Sequence, residues 1–128
     1  MFPITISFGV LILLLITVLA MNTTRNRGKY TKSSDPADKE KIRRASRAHG
    51  NNLEHGLVVI LLMLFYEVTG ANAALLCSLA TAYLLVRVSY AYGMLSKPGS
   101  IPMVVGAGLT YLIELILIVL VGINAFMS

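Results

Sequence analysis

Four long apolar runs, with a single hydrophilic stretch of any length between them, constrain this chain more than any other feature. The first, from about residue 4 to 21, carries no charged side chain. A helix rises about 1.5 Å per residue, so a run of this length reaches across a hydrocarbon core of roughly 30 Å. Further runs cover about 48–69, 73–95 and 102–126. Backbone groups in hydrocarbon are satisfied only within helices or closed barrels, and continuous runs this long lack the period-two alternation of barrel strands. The expectation is an all-α integral membrane protein, a four-transmembrane-helix bundle in which residues 1–128 form one membrane domain.

Composition agrees with this. Hydrophobic residues make up 56% of the chain and charged residues only 13%, too apolar for an ordinary soluble domain. The net charge of +5 could suggest nucleic acid, but nine of the eleven Lys and Arg lie between residues 25 and 47, beside apolar spans. Topology explains that clustering, and no nucleic-acid partner is expected. The lone Cys77 lies in an apolar run, with no second cysteine for a disulfide or a CxxC pair, and reads as a packing residue.

Positive charge also orients the chain. The stretch 22–47 holds nine Lys and Arg, Lys97 lies in the 96–100 break, and the 70–72 turn has none. The excess marks the basic loop as cytoplasmic and places both termini outside. Basic residues follow the first apolar run instead of preceding it, so it reads as a retained span and not a cleaved signal. Sequence logic does not separate a bacterial inner membrane from an organelle; the bacterial inner membrane is the expectation adopted.

Asp35-Pro36-Ala37-Asp38 combines an N-cap, a first-turn proline and an early acid. A helix starting there and running through Gly50 to about Thr69 exceeds thirty residues, so its first turns should stand clear of the membrane. Ala74, Ser78 and Ala82 follow the small-xxx-small pattern of close helix contacts, which predicts a buried face for the third helix. Ser100 and Pro102 are expected to cap and open the fourth.

Along the second helix, Arg47, Asn51 and Glu54 fall at i, i+4 and i+7, with His55 beside them. A cation, an amide and a carboxylate thus share one stripe as the helix enters the membrane. Depth counting puts Glu54 level with Arg87 of the third helix, and Asn51 level with Tyr90. An ionised side chain at that depth needs a partner, which predicts a Glu54–Arg87 ion pair surrounded by Asn51, Tyr90 and Arg47. Arg27, Arg44, Arg47, His49 and His55 add donors at the same level, more than one carboxylate satisfies, which suits a small anionic ligand. Glu114, twelve residues into the fourth span, calls for a hydrogen bond or an ion pair, and Glu67 should reach the interface. His49 and His55, six residues apart with no third ligand, predict no metal site.

The spacing Arg47-Ala48-x-x-Asn51-x-x-Glu54, together with Arg87-x-x-Tyr90-x-x-Gly93, resembles the MAPEG family, the membrane-associated proteins in eicosanoid and glutathione metabolism, in a divergent, bacterial-type form. The resemblance covers nearly the whole chain. It implies a homotrimer that binds glutathione as co-substrate in a cytosol-facing pocket between subunits, with Arg47, Asn51, Glu54 and Tyr90 as ligand-binding residues; Arg87 and His55 join this candidate ligand-binding set from the depth-matched cluster. His55 stands where conjugating members carry Tyr, and Ile101 stands where the synthases carry the Arg that stabilises the thiolate. Arg27 and Lys97 are the remaining candidates for that catalytic cation. The function expected is binding of glutathione or a similar thiol and its conjugation to, or use in reducing, a lipophilic electrophile from the bilayer. The alternatives are a non-enzymatic binding or scaffold protein and, further off, a small transporter built on Glu114.

Overall fold

The computed structural model describes residues 1–127 and contains four helices: α1 (Pro3–Tyr30), α2 (Pro36–Val68), α3 (Ala73–Ser96) and α4 (Ile101–Met127). All four are long and apolar enough to cross a membrane. Large apolar side chains such as Val10, Leu14, Leu61, Leu85 and Leu115 are exposed around the outside, as expected where lipid is the solvent. The 31–35 and 97–100 connections lie at one end of the bundle, the basic end.

α2 starts as its sequence dictates. The Asp35 side chain accepts from the Ala37 amide at 2.9 Å, and Pro36 has no N–H to leave unpaired. The helix then runs unbroken through Gly50 for 33 residues. α1, by contrast, is longer than its apolar run and continues to Tyr30, so the connection to α2 shrinks to a few residues. Nothing between Asn22 and Lys29 breaks the helix, which runs through Gly28, and Arg27 and Lys29 in its last turn oppose the negative end of the helix dipole. Buried Thr23 fastens this extension to α2, its hydroxyl lying 3.0 Å from both the Leu19 and Ala45 carbonyl oxygens.

α1 packs on α2 and α3 on α4; α2 also touches α3 and α4, and α1 touches α3. Among the described residues α1 and α4 make no contact. Two apolar clusters fill the interior. One, centred on Ile12, Val59, Met63, Leu76, Tyr83 and Leu117, occupies the half away from the basic end. The other, near the basic end, joins Leu19, Ala48, Tyr90, Ala91 and Met94.

Glycines set the closest approaches. A Cβ on Gly106 would lie 2.8 Å from the Tyr90 backbone nitrogen, and one on Gly93 would strike the Met103 backbone. These two positions, one on each helix, let α3 and α4 meet backbone to backbone. The Ala74 and Ser78 positions expected to do this are exposed; the buried stripe of α3 runs through Leu76, Ala80, Tyr83, Arg87, Tyr90 and Met94. Ser100 also departs from expectation, since its hydroxyl turns to the Gly93 carbonyl at 3.4 Å.

Glu67 does more than reach the interface. Its two carboxylate oxygens accept from the Ile4 and Thr5 amides at 3.1 and 2.8 Å. These are orphan donors at the start of α1, whose N-cap Phe2 offers no side-chain acceptor.

Candidate ligand-binding site

Helical periodicity divides the α2 side chains near the basic end between two faces. Ala45, Ala48, Asn52, Gly56, Val59 and Met63 recur every three or four residues and are buried. Arg47, Gly50, Asn51 and Glu54, with Ser46, instead line an open hollow of about 280 Å³. Arg47 and Glu54 are exposed and Asn51 is half-buried.

Behind this face lies Arg87, only 1% exposed. Its Nε donates to Asn52 Oδ1 at 2.9 Å, Nη1 to Thr110 Oγ1 at 3.0 Å, and Nη2 to Asn51 Oδ1 at 2.6 Å. The guanidinium also lies 4.6 Å from the centre of the Tyr90 ring, a cation–π contact. The acceptors are held in turn: Asn52 Nδ2 donates to the Ala48 carbonyl at 2.8 Å and Thr110 Oγ1 to the Gly106 carbonyl at 2.7 Å. A planar fork gripped by three oxygens has a fixed orientation.

The predicted Glu54–Arg87 pair does not form. At 100° per residue, Glu54 points roughly 160° away from Asn52 around α2, so its side chain faces out while Arg87 lies inside. Depth counting matched the levels of the two residues but left their azimuths undetermined. Asn52 and Thr110, which hold Arg87, were missed for the same reason. The signal was present: each lies on a stripe at helical spacing beside a glycine, Ala48-Asn52-Gly56 on α2 and Gly106-Thr110-Ile113 on α4.

Because Asn51 Oδ1 accepts the hydrogen bond from Arg87 Nη2, the Asn51 amide group is oriented and its two N–H donors remain for the open face. Arg27 of α1 approaches that face through Ser46, with Nη2 at 3.3 Å from its Oγ. Arg44 is drawn away, donating from Nε to Glu40 at 3.0 Å and from Nη1 to the Ser96 carbonyl at 3.1 Å. The hydrogen bonds from Arg43 and then Arg44 hold the Glu40 carboxyl down at about 2. Lys97 is exposed and follows the end of α3, where its backbone amide bonds the Gly93 carbonyl.

His55 turns from the hollow toward α4. Its Nδ1 lies 2.6 Å from Glu114 Oε1, with both side chains mostly buried, and its ring meets that of Tyr111 edge-on at 5.2 Å. Glu114 thus finds its partner on α2.

The structure therefore brings Arg47, Asn51 and Glu54 to one face, joins Arg87 and Tyr90 behind it, and sets His55 and Lys97 apart. The MAPEG family profile matches residues 1–123. The chain belongs to the MAPEG family. With its four candidate spans, this MAPEG chain is an integral multi-pass membrane protein of the family named for glutathione and eicosanoid metabolism. No curated protein matches its sequence.

Proposed function

We propose that this MAPEG protein binds glutathione, or a similar small thiol carrying carboxylates, on the Arg47–Asn51–Glu54 face. We further propose that it assembles as a homotrimer, with this face closed by a neighbouring subunit and opening to the cytosol at the basic end. The observation that supports the reading best is the Arg87–Asn51 hydrogen bond. A buried cation aims an open amide, and with Arg47 beside it the face offers donors to carboxylates while Glu54 offers an acceptor to an ammonium group. A peptide thiol carries both kinds of group.

The activity proposed is conjugation of that thiol to a lipophilic electrophile entering from the bilayer, or its use as a reductant. Arg27, beside the face, is better placed than Lys97 to supply a cation near the ligand. The purified protein should accelerate thiol conjugation of a chromogenic aryl halide in proteoliposomes, saturably in glutathione, and native mass spectrometry should give the mass of a trimer. Absence of both activity and saturation contradicts the reading.

A structural reading has one observation of its own. Arg87 is satisfied within a single chain by neutral groups, so its cluster holds α2, α3 and α4 together with or without ligand. That accounts for Arg87, Asn52 and Thr110. It leaves Arg47, Glu54 and the free Asn51 amide without a task.

A further inference from the structure

The His55–Glu114 contact is used neither by the bundle's apolar packing nor by the binding face. We propose that it is a general-base dyad at membrane depth, in which His55 Nε2 takes the proton from a thiol and Glu114 orients the imidazole. This rests on the reading of the neighbouring face as a thiol-binding site.

A carboxylate 2.6 Å from Nδ1 favours the tautomer in which Nδ1–H donates a hydrogen bond to it, which leaves the lone pair on Nε2. The edge-on Tyr111 ring further restricts ring rotation. Nε2 has no hydrogen-bond partner among the described residues, and 16% of the His55 side chain stays accessible. His55 lies four residues, or roughly 6 Å, deeper than Asn51 on the adjoining strip of α2. A ligand whose charged groups rest on Arg47 and Asn51, with its sulfur directed into the membrane, brings the thiol to that level.

In the step, the S–H bond breaks and the proton moves to Nε2. The sulfur lone pair forms the C–S bond, and an aryl halide's halide leaves with the electrons of the broken carbon–halogen bond. The proton then passes from Nε2 to water, so that one equivalent of acid is released per product. Base catalysis of this kind requires no cation at sulfur, which suits a chain with Ile101 at the start of α4. The titratable and charged groups near the dyad are Glu114 and Tyr111 on α4, Arg87 and Tyr83 on α3, and Glu54 on α2; the membrane-level part of α1 carries none.

The test is conjugation of an aryl halide in proteoliposomes with two thiols, glutathione and 2-mercaptoethanol, the second having no carboxylate for the open face to hold. With both thiols, His55→Gln should lower kcat/KM by about 10²- to 10⁴-fold, and added imidazole should restore activity to His55→Ala. Glu114 acts as a positioning residue: Glu114→Gln should lower kcat with both thiols while leaving the KM for glutathione unchanged, and Glu114→Asp should recover part of the loss. His55 variants that retain rates within threefold of wild type overturn the dyad, as does absence of acceleration by the wild type with either thiol. If glutathione proves no better than 2-mercaptoethanol while the His55 dependence persists, the glutathione reading fails and the dyad stands.

Discussion

Arg87 Nη2 donates to Asn51 Oδ1 over 2.6 Å, and this bond links a buried cation to the open face of α2. The rest of the guanidinium is held by residues facing the interior, so the same side chain anchors the bundle and aligns the candidate site. Substitutions can separate the two roles. Asn52→Leu removes a buried acceptor from a charged donor and should destabilise the bundle by about 1.5–3 kcal/mol. Detergent-induced unfolding followed by circular dichroism checks this; an unchanged midpoint would show that Arg87 finds other partners.

The α3–α4 contact predicts a contrast between two glycines. Gly106→Ala forces a methyl against the Tyr90 backbone, whereas a Cβ on Gly108 would meet nothing within 4 Å. The first substitution should cost about 1–3 kcal/mol. Gly108→Ala should be neutral or slightly stabilising, since alanine is the better helix former. The same unfolding assay separates them, and equal effects would contradict the close approach.

Glu67 caps α1 from another helix, which predicts long-range coupling. Glu67→Gln keeps the shape of the side chain and loses the charge–dipole interaction, at a cost of about 0.3–2 kcal/mol. Amide exchange at Ile4 and Thr5 should accelerate in the variant. Unchanged protection would mean that the start of α1 is held by other groups.

A further prediction concerns pH. Glu40 is held at about 2 by Arg43 and Arg44, below its unfolded value of 4.5. A depressed carboxyl contributes stability that is fully present above the unfolded value and lost as pH falls through the folded one. The Glu40 contribution should therefore disappear between about 4.5 and 2, weakening with added salt because the group is exposed. Carbon-detected titration of Glu40 reads this directly; a midpoint near 4.5 would contradict the pairing.

Much of this was legible in the residues alone. Apolar length defines the four spans, and Asp35-Pro36 marks the start of α2, because hydrocarbon thickness and capping chemistry act locally. The polar stripe Arg47-Asn51-Glu54 was readable from helical periodicity, and the structure places all three on one hollow. Pairing between helices was not readable, because it depends on how each helix is rotated about its axis. Two residues can share a depth and still face apart, as Glu54 and Arg87 do. The partners that did form, Asn52 and Thr110 with Arg87 and His55 with Glu114, depend on which stripes are buried, and glycines at Gly93 and Gly106 decide that for α3 and α4.

The central claim, that the face aimed by Arg87 binds a small thiol peptide, is tested most directly by calorimetric titration of glutathione into the detergent-solubilised protein and its Asn51→Ala variant. The account predicts saturable binding by the wild type at or below millimolar ligand and a loss of about tenfold in affinity in the variant, equivalent to roughly 1.4 kcal/mol. No binding at millimolar glutathione, or equal affinity in the two proteins, would contradict it.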